Sequence, residues 1–191
     1  ELFDRFAPAF SAGYRDVYQP AVAVHDIRLI EGLSAGRPLG VEFYRREEED
    51  HRTAGLKVWS LTRPLPLSER VPVLENMGFR VVDERTYPVG AKDDGGADIW
   101  LHDMLLERRD GGAIELEGHK QRLETAFVMT MRGVAENDGY NALVLLGGMM
   151  WRDVALVRAL SRFLRQARVP FSQDYMWTTL TRHAAIACDI V

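Results

Sequence analysis

The spacing of apolar positions changes several times along the chain, and each change marks a different element. Aromatic residues Phe3, Phe6, Phe10, Tyr14 and Tyr18 lead into Ala21 to Leu33, where Val24, Ile27 and Ile30 or Glu31 recur at helical spacing. This predicts a helix ending in the stretch Gly32 to Gly36. Leu39 to Arg45 and Leu56 to Thr62 (LKVWSLT) then carry strand formers on either side of the acidic run Glu47 to Asp50, which predicts a hairpin with a charged tip. Pro64 and Pro66 break the chain. Ser68 is placed to cap a short helix, Glu69 lies in its positive first turn, and Val71, Leu74 and Met77 share one face. Pro72 is tolerated near the first turn, and Gly78 followed by Phe79 closes the helix.

Phe79 to Val89 predicts another strand, followed by the loop Gly90 to Ala97 and a strand over Asp98 to Glu107. In the latter, Ile99, Leu101 and Leu105 alternate with Trp100, Met104 and Leu106, so both faces are apolar, as in a central strand or one covered on two sides. Asp110-Gly111-Gly112 makes the exit turn. Leu116, Leu123, Phe127, Thr130 and Val134 then track one side of a longer helix with Glu115 and Glu117 in its first turn. The order strand, helix, strand, strand, helix predicts an α+β fold, an ACT-like (ferredoxin-like) antiparallel sheet with helices.

From Asn137 onward no strand pattern survives. Asn137-Asp138-Gly139 is a turn, Tyr140 to Leu146 a short helix, and Gly147-Gly148 a break. Trp151 to Gln166 is a helix with Val154, Val157, Leu160 and Leu164 on one stripe. Pro170 ends that element, and Ser172 caps a helix through Tyr175, Met176, Thr179 and Leu180. The expected organisation is a helical lead-in over 1–36, an ACT-like unit over 37–134 and an all-helical segment over 135–191, with the second boundary resting on composition alone.

Composition narrows the function classes. A chain of 191 residues with 47% apolar content can bury a sizeable core. The net charge of -4 with mixed signs gives no extended positive field, which argues against nucleic acid as a partner. No run approaches the roughly 18 apolar residues of a membrane-spanning helix, so no membrane partner is expected. The single Cys188 cannot form an internal disulfide, which fits a reducing, cytoplasmic setting. The chain opens at Glu1 without a Met and stops at Val191 inside the apolar run from Ala184, and it reads as a piece of a longer polypeptide.

Candidate chemistry is sparse. A phosphate-cradling loop needs closely spaced glycines between a strand and a helix. Gly95-Gly96, Gly111-Gly112 and Gly147-Gly148 read instead as turns or helix breaks. His25, His51, His102, His119 and His183 have no partner at one-turn spacing and no Cys pair nearby, so a metal site would have to be assembled entirely by the fold. His102 beside Asp103 is the most suggestive pair, but adjacent strand residues point to opposite faces, which favours a structural His102. No serine sits in a nucleophile elbow, and Cys188 has no neighbouring histidine in sequence. The carboxylate pairs Asp83–Glu84 and Asp93–Asp94 read as solvated neighbours. No catalytic, cofactor-binding or metal residue is expected.

Three stretches carry a resemblance: PLPLSERVPVLENMGFRVVDERTYPV (64–89), IWLHDMLLE (99–107) and AENDGYNALVLLGGMMWRDVALVRALSRFLRQARVPFSQDYM (135–176). Together they resemble the large bacterial NAD-dependent glutamate dehydrogenases, in the region ahead of the catalytic domain. AVHDIRLIEGL (23–33) and LGVEFYR (39–45) fit the same region, so the likeness covers nearly the whole chain. The resemblance implies a large homo-oligomeric parent that binds NAD elsewhere in its subunit, with this chain packed against the parent's other domains and subunits. The family's catalytic and dinucleotide-binding segments have no counterpart in these residues. It also implies a possible amino-acid effector at the first strand-to-helix loop, Thr62, Arg63, Pro64, Leu65 and Pro66, with Arg63 as the carboxylate donor. The alternative is a turn stiffened by proline with Arg63 facing solvent, and the absence of a glycine in the loop favours it.

Overall fold

A computed structural model describes residue 6 and residues 8–45, 51–90 and 99–191. The acidic run Glu47 to Asp50, Phe3, Asp93, Asp94 and the Gly95-Gly96 pair lie outside the described residues. Strands β1 (Leu39–Tyr44), β2 (Thr53–Leu61), β3 (Phe79–Val89) and β4 (Ile99–Arg108) form one sheet in the order β1-β2-β4-β3 with every neighbouring pair antiparallel. Helix α3 (Leu67–Asn76) connects β2 to β3 while β4 slots between them, which is the split βαβ arrangement. β1 pairs with the other edge of β2. The sheet is therefore the ACT-like one expected, with its fourth strand supplied from the N-terminal side.

Both sheet faces are covered, because β2 and β4 carry apolar residues at odd and even positions alike. Phe43, Leu56, Val58, Phe79, Met104 and Leu106 pack against Leu74 of α3, Met77 at its C-cap, and Leu123 and Phe127 of α4 (Lys120–Met131). On the opposite face Trp59, Tyr87, Val89 and Leu101 meet Phe10, Tyr14 and Ile30 from the region of α1 (Ala12–Val17) and α2 (Pro20–Glu31). A bulge between Val81 and Asp83 makes this possible on β3. One extra residue reverses the alternation, so Phe79 faces α3 while Tyr87 and Val89, also odd-numbered, face the N-terminal helices.

The C-terminal segment comprises a 3-10 turn (Gly139–Asn141), α5 (Ala142–Gly147), α6 (Trp151–Gln166), α7 (Gln173–Arg182) and α8 (Ala184–Cys188). Gly148 at φ 62 ends α5, where a side chain would be strained. Ser172 caps α7 as expected, its hydroxyl accepting the Tyr175 N–H at 3.1 Å. Tyr140, Leu143, Val154, Val157, Met176 and Ala187 belong to the same buried cluster as Phe43 and Leu56, so the tail extends the core under the sheet. Among the described residues, no helix is long and apolar enough to cross a membrane.

Four local expectations are corrected. Ser68 does not cap α3: Pro66 holds the cap position, and its carbonyl takes the Glu69 N–H at 3.0 Å, so the helix starts two residues earlier. α4 excludes Leu116 and Val134, because Gly118 at φ 75 and Gly133 at φ 68 interrupt the helical backbone on either side. Val24 is exposed and Asp26 takes the buried position on α2. On α6, Val154 and Val157 point inward as expected, whereas Leu160 and Leu164 face out, because the inward face continues through Arg158 and Ser161.

Candidate functional site

The expected effector loop is the β2–α3 turn. Thr62, Arg63, Pro64 and Pro66 are exposed, while Leu65 is buried and plugs the loop into the core. Thr62 has φ 77, an uncommon conformation for a β-branched residue. The Ser60 hydroxyl donates to the Arg63 carbonyl at 2.8 Å. The Arg63 guanidinium forks onto Glu69 at 3.0 and 3.2 Å.

Folding brings His102 to this loop from β4, 37 residues away in sequence. The Leu65 N–H donates to His102 Nε2 at 3.0 Å, so the neutral ring carries its proton on Nδ1, which faces Thr86 Oγ1 at 3.0 Å. The Thr86 hydroxyl in turn donates to Glu84 Oε1 at 3.0 Å, and Arg70 of α3 donates to the same carboxylate. A chain of polar contacts thus runs from the loop through β4 and β3 and back to the helix that the loop begins. Burial, helped by the Arg70 guanidinium and opposed by Glu84, holds the His102 pKa down at about 4. With both ring nitrogens engaged and the ring out of water, His102 holds the loop in place rather than shuttling protons.

Asp103, its neighbour, faces the other side of the sheet, as strand geometry requires. It accepts from the hydroxyls of Tyr44, at 2.7 Å, and Tyr18. Beside it, Lys57 of β2 donates to both oxygens of Asp26 on α2, at 2.8 and 3.0 Å, and Tyr14 donates to the same carboxylate at 2.5 Å. The Lys57 ammonium lies 4.4 Å from the centre of the Tyr18 ring. Burial and the neighbouring carboxylates push the Tyr14 and Tyr18 phenols well above their ordinary range, so both remain donors. Burial raises the pKa of Asp26, against the opposing pull of Lys57 and Tyr14.

Sequence reasoning missed this cluster. Its one local signal is Lys57, a charge in the apolar strand LKVWSLT and on the Trp59 face; its partner Asp26 lies 31 residues away. A third polar group fixes the tail: Arg158 of α6 donates to Asp138 at 2.7 and 2.9 Å and to Asn141 at 2.8 Å.

The remaining candidates stay apart. Asp83 is exposed while Glu84 turns toward Arg70. His25 pairs with Glu42 at 2.9 Å, His119 precedes α4, and Cys188 donates to the Gly147 carbonyl at 3.3 Å. Among the described residues, no three His, Cys, Asp or Glu side chains gather as metal ligands. The β2–α3 turn does not fit a dinucleotide phosphate, because Pro64 and Pro66 have no N–H to offer and that of Leu65 is spent on His102.

Fold and site together define an ACT-like α+β domain carrying a helical segment on each side. Residues 1–33, 38–119 and 135–191 match, in turn, the family models for helical motif 2, the ACT3 domain and helical motif 3 of glutamate dehydrogenase. The chain belongs to that family. It is 38% identical over 190 residues to the NAD-specific glutamate dehydrogenase of Halomonas elongata, 37% over 186 residues to that of Pseudomonas aeruginosa and 30% over 191 residues to that of Mycobacterium tuberculosis. These alignments take in 100%, 97% and 97% of this chain, but it spans only 12%, 11% and 12% of the length of those relatives.

Proposed function

We propose that this chain is a non-catalytic structural and regulatory segment of a large NAD-dependent glutamate dehydrogenase, serving assembly or allosteric control. The parent reaction is the conversion of L-glutamate, NAD and water to 2-oxoglutarate, ammonia and NADH, with NAD bound elsewhere in the subunit. Residues 1–36 form the helical lead-in, 37–134 the ACT-like unit and 135–191 the helical motif of a cytoplasmic homo-oligomer. The observation that carries this reading is the engagement of four buried polar side chains by their surroundings. His102, Lys57, Asp26 and Arg158 are all tied to the scaffold. A catalytic group needs a free bond for substrate. The test is glutamate-dependent NADH formation by the purified 191-residue chain, with circular dichroism to establish that it is folded. None is expected, and turnover by the chain alone would refute the reading.

A second reading, an amino-acid-binding sensor at Thr62 to Pro66, is favoured by the left-handed backbone at Thr62, since such strain concentrates at functional positions. Calorimetry of the full-length enzyme against a panel of amino acids decides it. Heat lost on replacing Arg63→Ala supports the sensor; no heat with any amino acid removes it.

A further inference from the structure

A cleft of about 530 Å³ lies where the end of β4 meets the C-terminal helices. Arg108 and Asp110 line it from the sheet, and Thr178, Thr181 and Arg182 from α7. Leu146 of α5 and Ala184 of α8 add apolar surface. A concavity of this size at the junction of two structural units is the usual setting for a small ligand. The β2–α3 turn is remote from it. Leu61 pairs with Ile99 at one end of β4 and Thr53 with Glu107 at the other, so the length of a strand, roughly 30 Å, separates the two places.

Arg108 is held in place by its surroundings. Its Nε and Nη2 donate to Asp110 at 2.9 and 2.5 Å, and Nη1 donates to the Ala113 carbonyl at 2.7 Å. The guanidinium lies against Gly112, where a Cβ would come within 2.8 Å of Cζ. An arginine has about five N–H donors, so some of those on Arg108 remain unspent. On α7, Thr178, Thr181 and Arg182 share one face because they lie three and four residues apart. The Thr181 hydroxyl donates back to the Trp177 carbonyl at 2.8 Å. Thr178 and Arg182 are exposed, and among the described residues neither the Thr178 hydroxyl nor the Arg182 guanidinium has a partner. With Asp110 matched to Arg108, the cleft carries the positive charge of Arg182, in a chain whose net charge is -4.

We infer that this cleft binds a small organic anion, a molecule carrying a phosphate or carboxylate group on a short apolar body. Arg182 supplies the charge that draws the anionic group, and Arg108 and the Thr178 hydroxyl supply further donors to it. The apolar body covers Leu146 and Ala184. Because the sheet and α7 furnish opposite parts of the lining, a bound anion favours the arrangement in which the tail sits against the end of β4. The site belongs to this chain's own residues and does not depend on the parent's reaction.

The test uses the full-length protein. Modification of arginines by phenylglyoxal is followed residue by residue by mass spectrometry, with Arg152 and Arg168, exposed and outside the cleft, as references. Glycerol phosphate and succinate are added in turn, each against chloride at the same ionic strength. One or both are expected to slow labelling of Arg182 while the two references keep their rates. Protection by glycerol phosphate alone assigns the site to phosphate esters, and protection by succinate alone assigns it to carboxylates. Thr178→Val changes an exposed side chain and leaves the core intact. It is expected to raise the concentration needed for half protection by about tenfold, the worth of a hydrogen bond to a charged group. Equal slowing at all three arginines, no slowing of Arg182 by either anion, or an unchanged protection curve in Thr178→Val overturns the site. An Arg182 already inert before any anion is added also overturns it, because another part of the parent then fills the cleft.

Discussion

The ammonium of Lys57 on β2 and the carboxylate of Asp26 on α2 meet at 2.8 and 3.0 Å with 3% and 0% of their side chains exposed. The pair joins the N-terminal helices to the sheet in a seam that Tyr14, Tyr18, Trp59 and Tyr87 also line. An ion pair out of water contributes little net stability beyond what apolar packing would give, but it specifies which surfaces meet.

Breaking the pair on one side is therefore costly. Lys57→Met leaves Asp26 buried without its cation and is expected to destabilise the chain by about 3–5 kcal/mol. Lys57→Met combined with Asp26→Leu is expected to recover most of that loss. Urea denaturation of both variants and of Asp26→Leu alone completes the cycle. A loss in the double variant equal to the sum of the two single losses would show that the pair does not couple the two elements.

His102 makes stability depend on pH. Its folded pKa of about 4 lies below the ordinary value near 6.5, so between these values the unfolded chain binds a proton that the folded chain does not. Stability from this group is complete above about pH 6.5 and is lost as pH falls toward 4, by up to about 3 kcal/mol. Urea midpoints measured from pH 4 to pH 7 are expected to fall more steeply with acid for the natural chain than for His102→Gln, whose side-chain oxygen can still accept the Leu65 N–H. Parallel curves would rule out His102 as the source.

Gly55 lies opposite Tyr44 across the hairpin, and a Cβ there would sit 2.3 Å from ring carbons of Tyr44. The missing side chain lets the Tyr44 ring lie flat so that its hydroxyl reaches Asp103 at 2.7 Å. Gly55→Ala is expected to cost about 1–3 kcal/mol through this clash and to raise the solvent exposure of Tyr44. Gly55→Ala in a Tyr44→Ala background should cost much less; an undiminished penalty would place the strain elsewhere.

Arg158 fixes the rotation of α6. Its guanidinium holds Asp138 and Asn141 at the start of the tail, so the side of α6 bearing Val154 and Val157 turns inward and Leu160 outward. Arg158→Ala is expected to lower stability by about 2 kcal/mol, in the range of lost hydrogen bonds to a charged group. Hydrogen exchange should increase across residues 138–166 while the sheet stays protected. Uniform change across the chain would argue against a local role.

The strands and most helices are legible in the sequence, because apolar periodicity and turn residues are local signals. LKVWSLT, the Asp110-Gly111-Gly112 turn and Ser172 each fix their own neighbourhood whatever they pack against. Both limits expected for α4 failed because a single left-handed glycine, Gly118 or Gly133, overrode a run of well-spaced apolar residues. The candidate site was legible only as a loop. That His102 holds the loop from below depends on a contact spanning 37 residues, which no local window contains, whereas Glu69, the partner of Arg63, lies only six residues on.

Sequence alone determined the α+β order, the two-sided burial of β4 and the resemblance to the glutamate dehydrogenase family. Tertiary structure decided which residues are inside when two choices were locally equal. The bulge between Val81 and Asp83 sends Tyr87 and Val89 to the N-terminal helices, Asp26 displaces Val24 because Lys57 waits across the seam, and Arg158 turns Leu160 toward the outside. In each case an unpaired buried charge or a reversed strand phase costs more than exposing a single valine or leucine, and that balance is set only when distant segments meet.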